Sequence, residues 1–438
     1  MPTTIDKRPE DRFFAAFEIH EGHTLNGSNA VLEGLRKEAI GHFSTLGFPA
    51  PKTEAWKYTN ITKVLAHDFA LQLKPTATAE SDLTPFLIPG LDAYVAVFIN
   101  GHFDAARSAL GGLPEGVIVM SLAQAKEVHA DLFNHHFAQY ADHRKEVFTA
   151  LNTAFTHDGL FVYVPRNTVV EKPIFALHLI EAEADTFLLP RHLIIAERSA
   201  QVQIIEHCQG QTEAKTFSNT VTECFVGANA HVDHYKIQDD GPNASQVNTL
   251  HAYQEGNSYF STLTATISGA VVRNNLHFLP NAENCETHLL GLTLANGKTH
   301  VDNHTLVDHA QPNCFSNELY KGILDENATG VFNGKVLVRQ DAQKTNAYQS
   351  NKSVVLTETA RMFSKPELEI YADDVKCSHG ATTGQLDAEA MFYLRTRGLT
   401  KEKARMLLLH AFARDVLDEI KNEPLRAYLD AKVEALLH

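Results

Sequence analysis

Cys377 and His379 stand two residues apart in YADDVKCSHGATTGQLDAEAMFYLRTR, the run from Tyr371 to Arg397. On an extended backbone alternate side chains project to the same face, so this spacing points a thiol and an imidazole the same way. Both are soft-to-borderline donors suited to iron, zinc or a forming iron-sulfur cluster. Two donors are fewer than the four that a closed site takes, so the pair is expected to share its ion with another part of this chain, another chain or solvent. The plain alternative is a buried structural cysteine.

Other pairs offer poorer spacing. His231 and His234 fall on opposite faces of a strand, and His300 and His304 share a face but lie too far apart along it to hold one ion. His309 fits neither pattern, and Cys285 with His288, or Cys314 alone, is no better placed. The chain holds 24 histidines, most of them expected as hydrogen-bonded structural residues. No G-x-S-x-G, H-E-x-x-H or G-x-x-x-x-G-K-[ST] pattern occurs, so neither nucleophilic catalysis nor nucleotide hydrolysis is expected of this chain alone.

The elements that must position Cys377 and His379 change type around them. Up to Lys376 apolar residues alternate, as in Leu368 and Ile370 beside Glu367 and Glu369, whereas Met391, Phe392, Leu394 and Leu399 recur at helical spacing. Asp387 is placed to cap a helix ending at Arg397, with Gly398 in the left-handed position that stops it. Thr400 caps a second helix, and Pro424 opens a third. These stripes need the strand-rich core, a partner, or both to cover them.

Upstream, short alternating runs follow one another for more than two hundred residues. They include LFVYVP at Leu160–Pro165, QVQIIEH at Gln201–His207, STLTATISGAVV at Ser261–Val272 and HLLGLTLA at His288–Ala295. Strands without intervening helices exclude a doubly wound α/β domain and leave a sandwich, a barrel or a β-solenoid. The segment is longer than one ordinary sandwich, which favours stacked rungs, although no crisp repeat is visible. Before it, a helical stripe from Asn29 to Leu46, a hairpin around Asn100-Gly101 and candidate helices in Ser121–Val147 suggest an α/β cap. Trp56 is expected as a packing anchor. The expected units are 1–151, 152–384 and 385–438.

Composition sets outer limits. With 438 residues, 44% hydrophobic and 21% charged, the chain should be globular. Its 38 basic and 53 acidic residues give a formal charge of −15, which argues against non-specific nucleic-acid binding. The opening MPTTIDKRPEDRFF shows no secretory pattern and no membrane-length apolar run occurs, so the protein is expected in the cytoplasm. Five cysteines without a C-x-x-C pair are an odd number and make no disulfide framework.

The run DDVKCSHGAT from Asp373 to Thr382, followed by MFYLRTRGL from Met391 to Leu399, resembles the C-terminal signature of the SufB/SufD family of iron-sulfur cluster assembly proteins. Its Cys-Ser-His-Gly order is the version on the SufD side of that family. TEAWKYTN at Thr53–Asn60 and the strand-rich middle agree, so the resemblance spans most of the chain. It implies a right-handed parallel β-helix core between an N-terminal α/β cap and a C-terminal helical domain. It further implies a non-catalytic scaffold that pairs with a SufB-like paralogue, or with itself when isolated, and binds the separate ABC-type ATPase SufC. In that reading Cys377 and His379 meet iron or an iron-sulfur cluster transiently, shared with SufB, and the isolated chain holds no tightly bound cofactor. ATPase docking falls on Ala390, Met391, Phe392, Tyr393, Leu394, Arg397 and Gly398. Two other classes stand against it. A β-helix carbohydrate-active enzyme needs a groove of clustered acids and bases, and a cupin-type metal enzyme needs a His-x-His and acid arrangement; neither is evident.

Overall fold

The computed structural model describes residues 8–24, 29–51, 53–75, 82–210 and 212–437. The opening MPTTIDK, part of the stretch read above for a secretory pattern, lies outside the described residues.

From residue 161 to 384 the chain winds into a parallel β-solenoid of about eight turns. Each turn contributes one strand to each of two sheets. The first sheet runs from Leu160–Val164 and Arg191–Ala196 through Thr216–Val226, Ala244–Gln254, Val271–Pro280, His300–His309 and Thr329–Val338 to Arg361–Ile370. The second runs from Ile174–Ile180 and Gln201–Gly210 through His231–Asp239, Tyr259–Ser268, Glu286–Ala295, Phe315–Leu324 and Asn346–Val355 to Lys376–Gly384. Within each strand one set of alternate residues faces the lumen, as Val232, Phe260 and Leu289 do on the second sheet, and these join Ile194, Leu276 and Phe332 from the first in one core. Where the sequence suggested a single run over Ser261–Val272, the chain folds as two strands separated by Gly269 and Ala270.

The repeat is written in the corners. Asn167, Ser199, Asn229, Asn257, Asn284, Asn313 and Lys344 all adopt positive φ, between 57° and 60°. Each donates its backbone N–H to the next corner, as Asn229 does to Gly256 at 3.0 Å and Asn313 to Gln343 at 2.9 Å. Asparagine tolerates the left-handed conformation better than most residues, which accounts for its recurrence. The next residue is small and buried in nearly every turn: Ala200, Ala230, Ser258, Cys285, Cys314 and Thr345 are at most 1% exposed. Cys285 and Cys314 are thus corner fillers, both donating to the Ala282 carbonyl at 3.2 and 3.3 Å.

The cap is continuous with this core. Tyr94–Ile99 extends the second sheet in parallel with Ile174–Ile180, and turns back through the hairpin to His102–Phe103. Helices Asp11–Thr24, Ala30–Leu46 and Val147–Ala154 supply Phe13, Phe43 and Phe148, which pack with Phe187 and Phe217 of the core. The division expected after residue 151 falls inside the last of these helices. Thr53–Asn60 straps the outer face of the first sheet. The Arg273 guanidinium lies 3.8 Å from the Trp56 ring centroid and bonds Asp302 Oδ2 at 2.7 Å, and Tyr58 stacks on Phe363 at 4.4 Å.

After Gly384 the three C-terminal helices behave differently. Lys401–Leu417 and Glu423–Leu437 bury Leu409, Val416, Leu425 and Leu429 against Leu263, Leu290 and Leu292 of the second sheet. Lys421 and Lys432 fasten them to Asp233 and Asp239 at 2.9 and 2.8 Å. Ala388–Thr396 is capped by Asp387 and stopped beside Gly398 at φ 92°, yet buries none of its residues. Among the described residues no helix is long and apolar enough to cross a membrane.

Candidate metal centre

Cys377 and His379 sit on Lys376–Gly384, the last strand of the second sheet, which pairs with Asn346–Val355 on one side only. Cys377 lies opposite Ala347 and His379 opposite Gln349, both lumen-facing residues. The register therefore carries thiol and imidazole on the lumenal side of the final turn, as period-two spacing requires. Cys377 is half-buried against the apolar group around Val336, Val338 and Ala347, and this desolvation raises its thiol above the ordinary range. His379 is exposed.

Behind His379 the same column continues inward through Gln349 to Glu318. Glu318 is fully buried, and its Oε2 accepts from Thr305 Oγ1 at 2.7 Å and Gln349 Nε2 at 3.2 Å. Burial pushes its carboxyl up to about 7. Tyr320, buried two residues along, makes room for its ring through Gly291, where a Cβ would meet that ring at 2.2 Å. Neither Glu318 nor Gln349 stands out by local sequence. The corner residues supply the missing signal: Glu318 and Gln349 each lie five positions beyond a corner, at Asn313 and Lys344, and His379 lies five beyond Asp374, whose carbonyl accepts from the Lys344 N–H.

A second donor cluster lies deeper. Ligand atoms of His178, His192 and Glu206 fall within 4.8 Å of one another. Two facts close it to a cation. Lys236 Nζ holds Glu206 Oε2 at 2.7 Å, and His234 Nε2 lies 2.8 Å from Oε1. The Leu160 N–H donates to His192 Nδ1 at 2.9 Å, so the neutral ring keeps its hydrogen on Nε2, the atom aimed at the cluster. Burial holds His178 well below, and His192 down to about 4, in their neutral forms. The cluster is a buried ion pair packed among neutral imidazoles.

The other histidines singled out in the sequence have structural partners or contacts. His231 stacks on Tyr259 at 4.1 Å outside the second sheet while His234 enters the lumen, the opposite-face arrangement expected. His300 meets Thr59, His304 meets Asp302 at 3.0 Å, and His309 meets Ser316 in the lumen. At the groove under residues 135–146, Asp308 pairs with Arg339 and Asp142 with Arg144, each at 2.7 Å.

On helix Ala388–Thr396 the segment around Ala390, Met391 and Leu394 is half-exposed, and Phe392 and Tyr393 are 70% and 57% exposed. Arg397 lies over the Tyr393 ring at 5.2 Å, and Gly398 ends the helix.

Residues 178–412 match the family model described as "SUF system FeS cluster assembly, SufBD core domain", and residues 7–175 match "SufBD protein N-terminal region". An iron-sulfur cluster assembly SufBD family protein of Synechocystis is 35% identical over 404 residues, covering 90% of this chain and 88% of the relative. The iron-sulfur cluster assembly protein SufD of Escherichia coli is 29% identical, with 93% and 97% covered, and SufD of Bacillus subtilis is 26% identical, with 92% and 94% covered. With both family regions matched across a two-sheet solenoid, and two SufD proteins among its relatives, the chain belongs to the SufBD family of iron-sulfur cluster assembly proteins.

Proposed function

We propose that this chain is a non-catalytic scaffold subunit of a Suf assembly complex, pairing with a SufB-like paralogue and binding the SufC-type ATPase. The observation that carries the proposal is the last turn. Both sheets end there on strands with one neighbour, Arg361–Ile370 and Lys376–Gly384, and the second bears Cys377 and His379 on its lumenal side. An unpaired edge is a template for strand addition, so a paralogue with the same edge would extend both sheets and supply the missing donors. Alone, two copies of this chain can meet by the same edge.

The ATPase is assigned to helix Ala388–Thr396, next in the chain after the metal-bearing strand. Its Phe392 and Tyr393 form an apolar knob for a partner's groove. Movement of that helix would act directly on Lys376–Gly384, which couples nucleotide hydrolysis in the partner to opening of the final turn. Iron is cargo here, held transiently by Cys377, His379 and donors from the paralogue.

Co-expression with the SufB-like and SufC-like proteins of the same source, followed by size-exclusion chromatography with mass determination, tests the proposal. All three should co-elute, and Phe392→Asp should remove the ATPase while the paralogue stays. Cys377→Ser with His379→Ala should abolish cluster formation and leave assembly intact. Elution of this chain alone, or unchanged cluster yield, defeats the corresponding half.

A further inference from the structure

The buried carboxylates of this protein differ in what neutralises them. Glu206 is held by Lys236, Glu223 by Arg191 at 2.5 Å and Asp302 by Arg273 at 2.7 Å. Asp240 lies in the field of Lys236 and accepts from Gln246. Glu318 is as deeply buried as these, and among the described residues it has no ion pair. Its Oε2 is occupied by Thr305 and Gln349, while its Oε1 has no partner. Gln349, 3% exposed, also has its Oε1 unpartnered. Two residues along the same two strands, Asn351 Oδ1 and Tyr320 Oη are buried and unpartnered as well.

These atoms are almost all acceptors. Buried acceptors without donors are unfavourable, and an unpaired buried carboxylate is more so; a cation relieves both at once. Carboxylate and amide oxygens are hard donors, matched to ions of the Mn²⁺ class. Neighbouring strands are about 4.8 Å apart, which puts Glu318 about 10 Å behind the open end, with His379 exposed at the mouth.

We propose that Glu318 Oε1 and Gln349 Oε1 form a divalent-cation site in the last turns of the lumen. The site takes an ion that prefers oxygen ligands and holds it one to two rungs behind the Cys377 thiol. That the physiological ion is iron rests on the function proposed above; the site itself does not.

The test is a titration of the metal-stripped full-length chain with Mn²⁺ at neutral pH, following free Mn²⁺ by electron paramagnetic resonance. Wild type should bind one ion above the weak surface background. Glu318→Gln, which keeps the size and hydrogen-bonding capacity of the side chain, should bind it at least tenfold more weakly, whereas the exposed Glu358→Gln should match wild type. If Glu318→Gln loses native circular dichroism, Gln349→Met takes its place with the same expectation. Binding that survives a folded inner-site substitution, or its absence in wild type, overturns the proposal. Failure of co-elution with the partners while Glu318-dependent Mn²⁺ binding persists would remove the scaffold reading and leave this site standing.

Discussion

At the scale of single residues, Cys377 combines access with a hindered ionisation. Its partial burial against apolar neighbours raises the thiol, so at neutral pH it is protonated, and capture of a metal there must release a proton. Cys224, Cys285 and Cys314 are at most 1% exposed and have no such route to solvent. Alkylation of the native protein followed by peptide mapping should therefore label Cys377 before these three, at a rate that climbs with pH beyond the range of an ordinary thiol. Simultaneous labelling of all four would mean that the last turn does not hold Cys377 as described. The pairing of Cys377 with His379 was legible because strand periodicity is a local property. Glu318 and Gln349 were not, because nothing in NELYKGILD or NAYQSNKSVV marks a column that exists only once the turns are stacked.

At the scale of elements, the corners decide the register. Positive φ costs an L-residue with a Cβ roughly 1–2 kcal/mol, and asparagine is among the residues that visit it most readily. Asn229, exposed at φ 58°, is a clean position to measure this. Asn229→Gly should leave stability within a few tenths of a kcal/mol, while Asn229→Ala should lower it by about 1 kcal/mol in denaturant unfolding. Equal effects of the two would show that the corner conformation is not what asparagine supplies. The Asn-small dipeptide preceding successive strands of the second sheet is the repeat that strand patterns alone did not reveal. It was obscured because one corner uses serine and another lysine, and because its spacing is uneven. The terminal helices read well from caps and stripes, but the stripes could not say which helix the core would cover. Ala388–Thr396 remains bare because the solenoid wall ends with the strand that leads into it.

At the scale of the whole molecule, burial of neutral histidines sets the response to acid. Desolvation holds His136, His192, His207, His277 and His309 down to about 4, and His178 and His251 well below their ordinary value. In the unfolded chain these rings protonate near 6.5. Between about 6.5 and 4 the unfolded state binds more protons, so stability falls as pH falls through this window. Glu318 and Asp240, both raised to about 7, act in the opposite sense: the folded state holds their protons more tightly, and their contribution is lost as pH rises toward 7. Burial also raises Glu146, and seven histidines outweigh these three acids, so Tm should drop from pH 6.5 to 4. A flat profile across that window would contradict the burial of these rings.

The sequence by itself determined the strand period, the change to helix after Lys376, the helix caps at Asp387 and Thr400, and the side-by-side placement of Cys377 and His379. Each depends on residues within one or two turns of helix or a few residues of strand, where backbone geometry leaves little choice. Tertiary structure decided what lies behind that pair, which charges are neutralised and which apolar helix stays uncovered. Those outcomes depend on which residues thirty positions apart become neighbours, and that follows from how the turns stack.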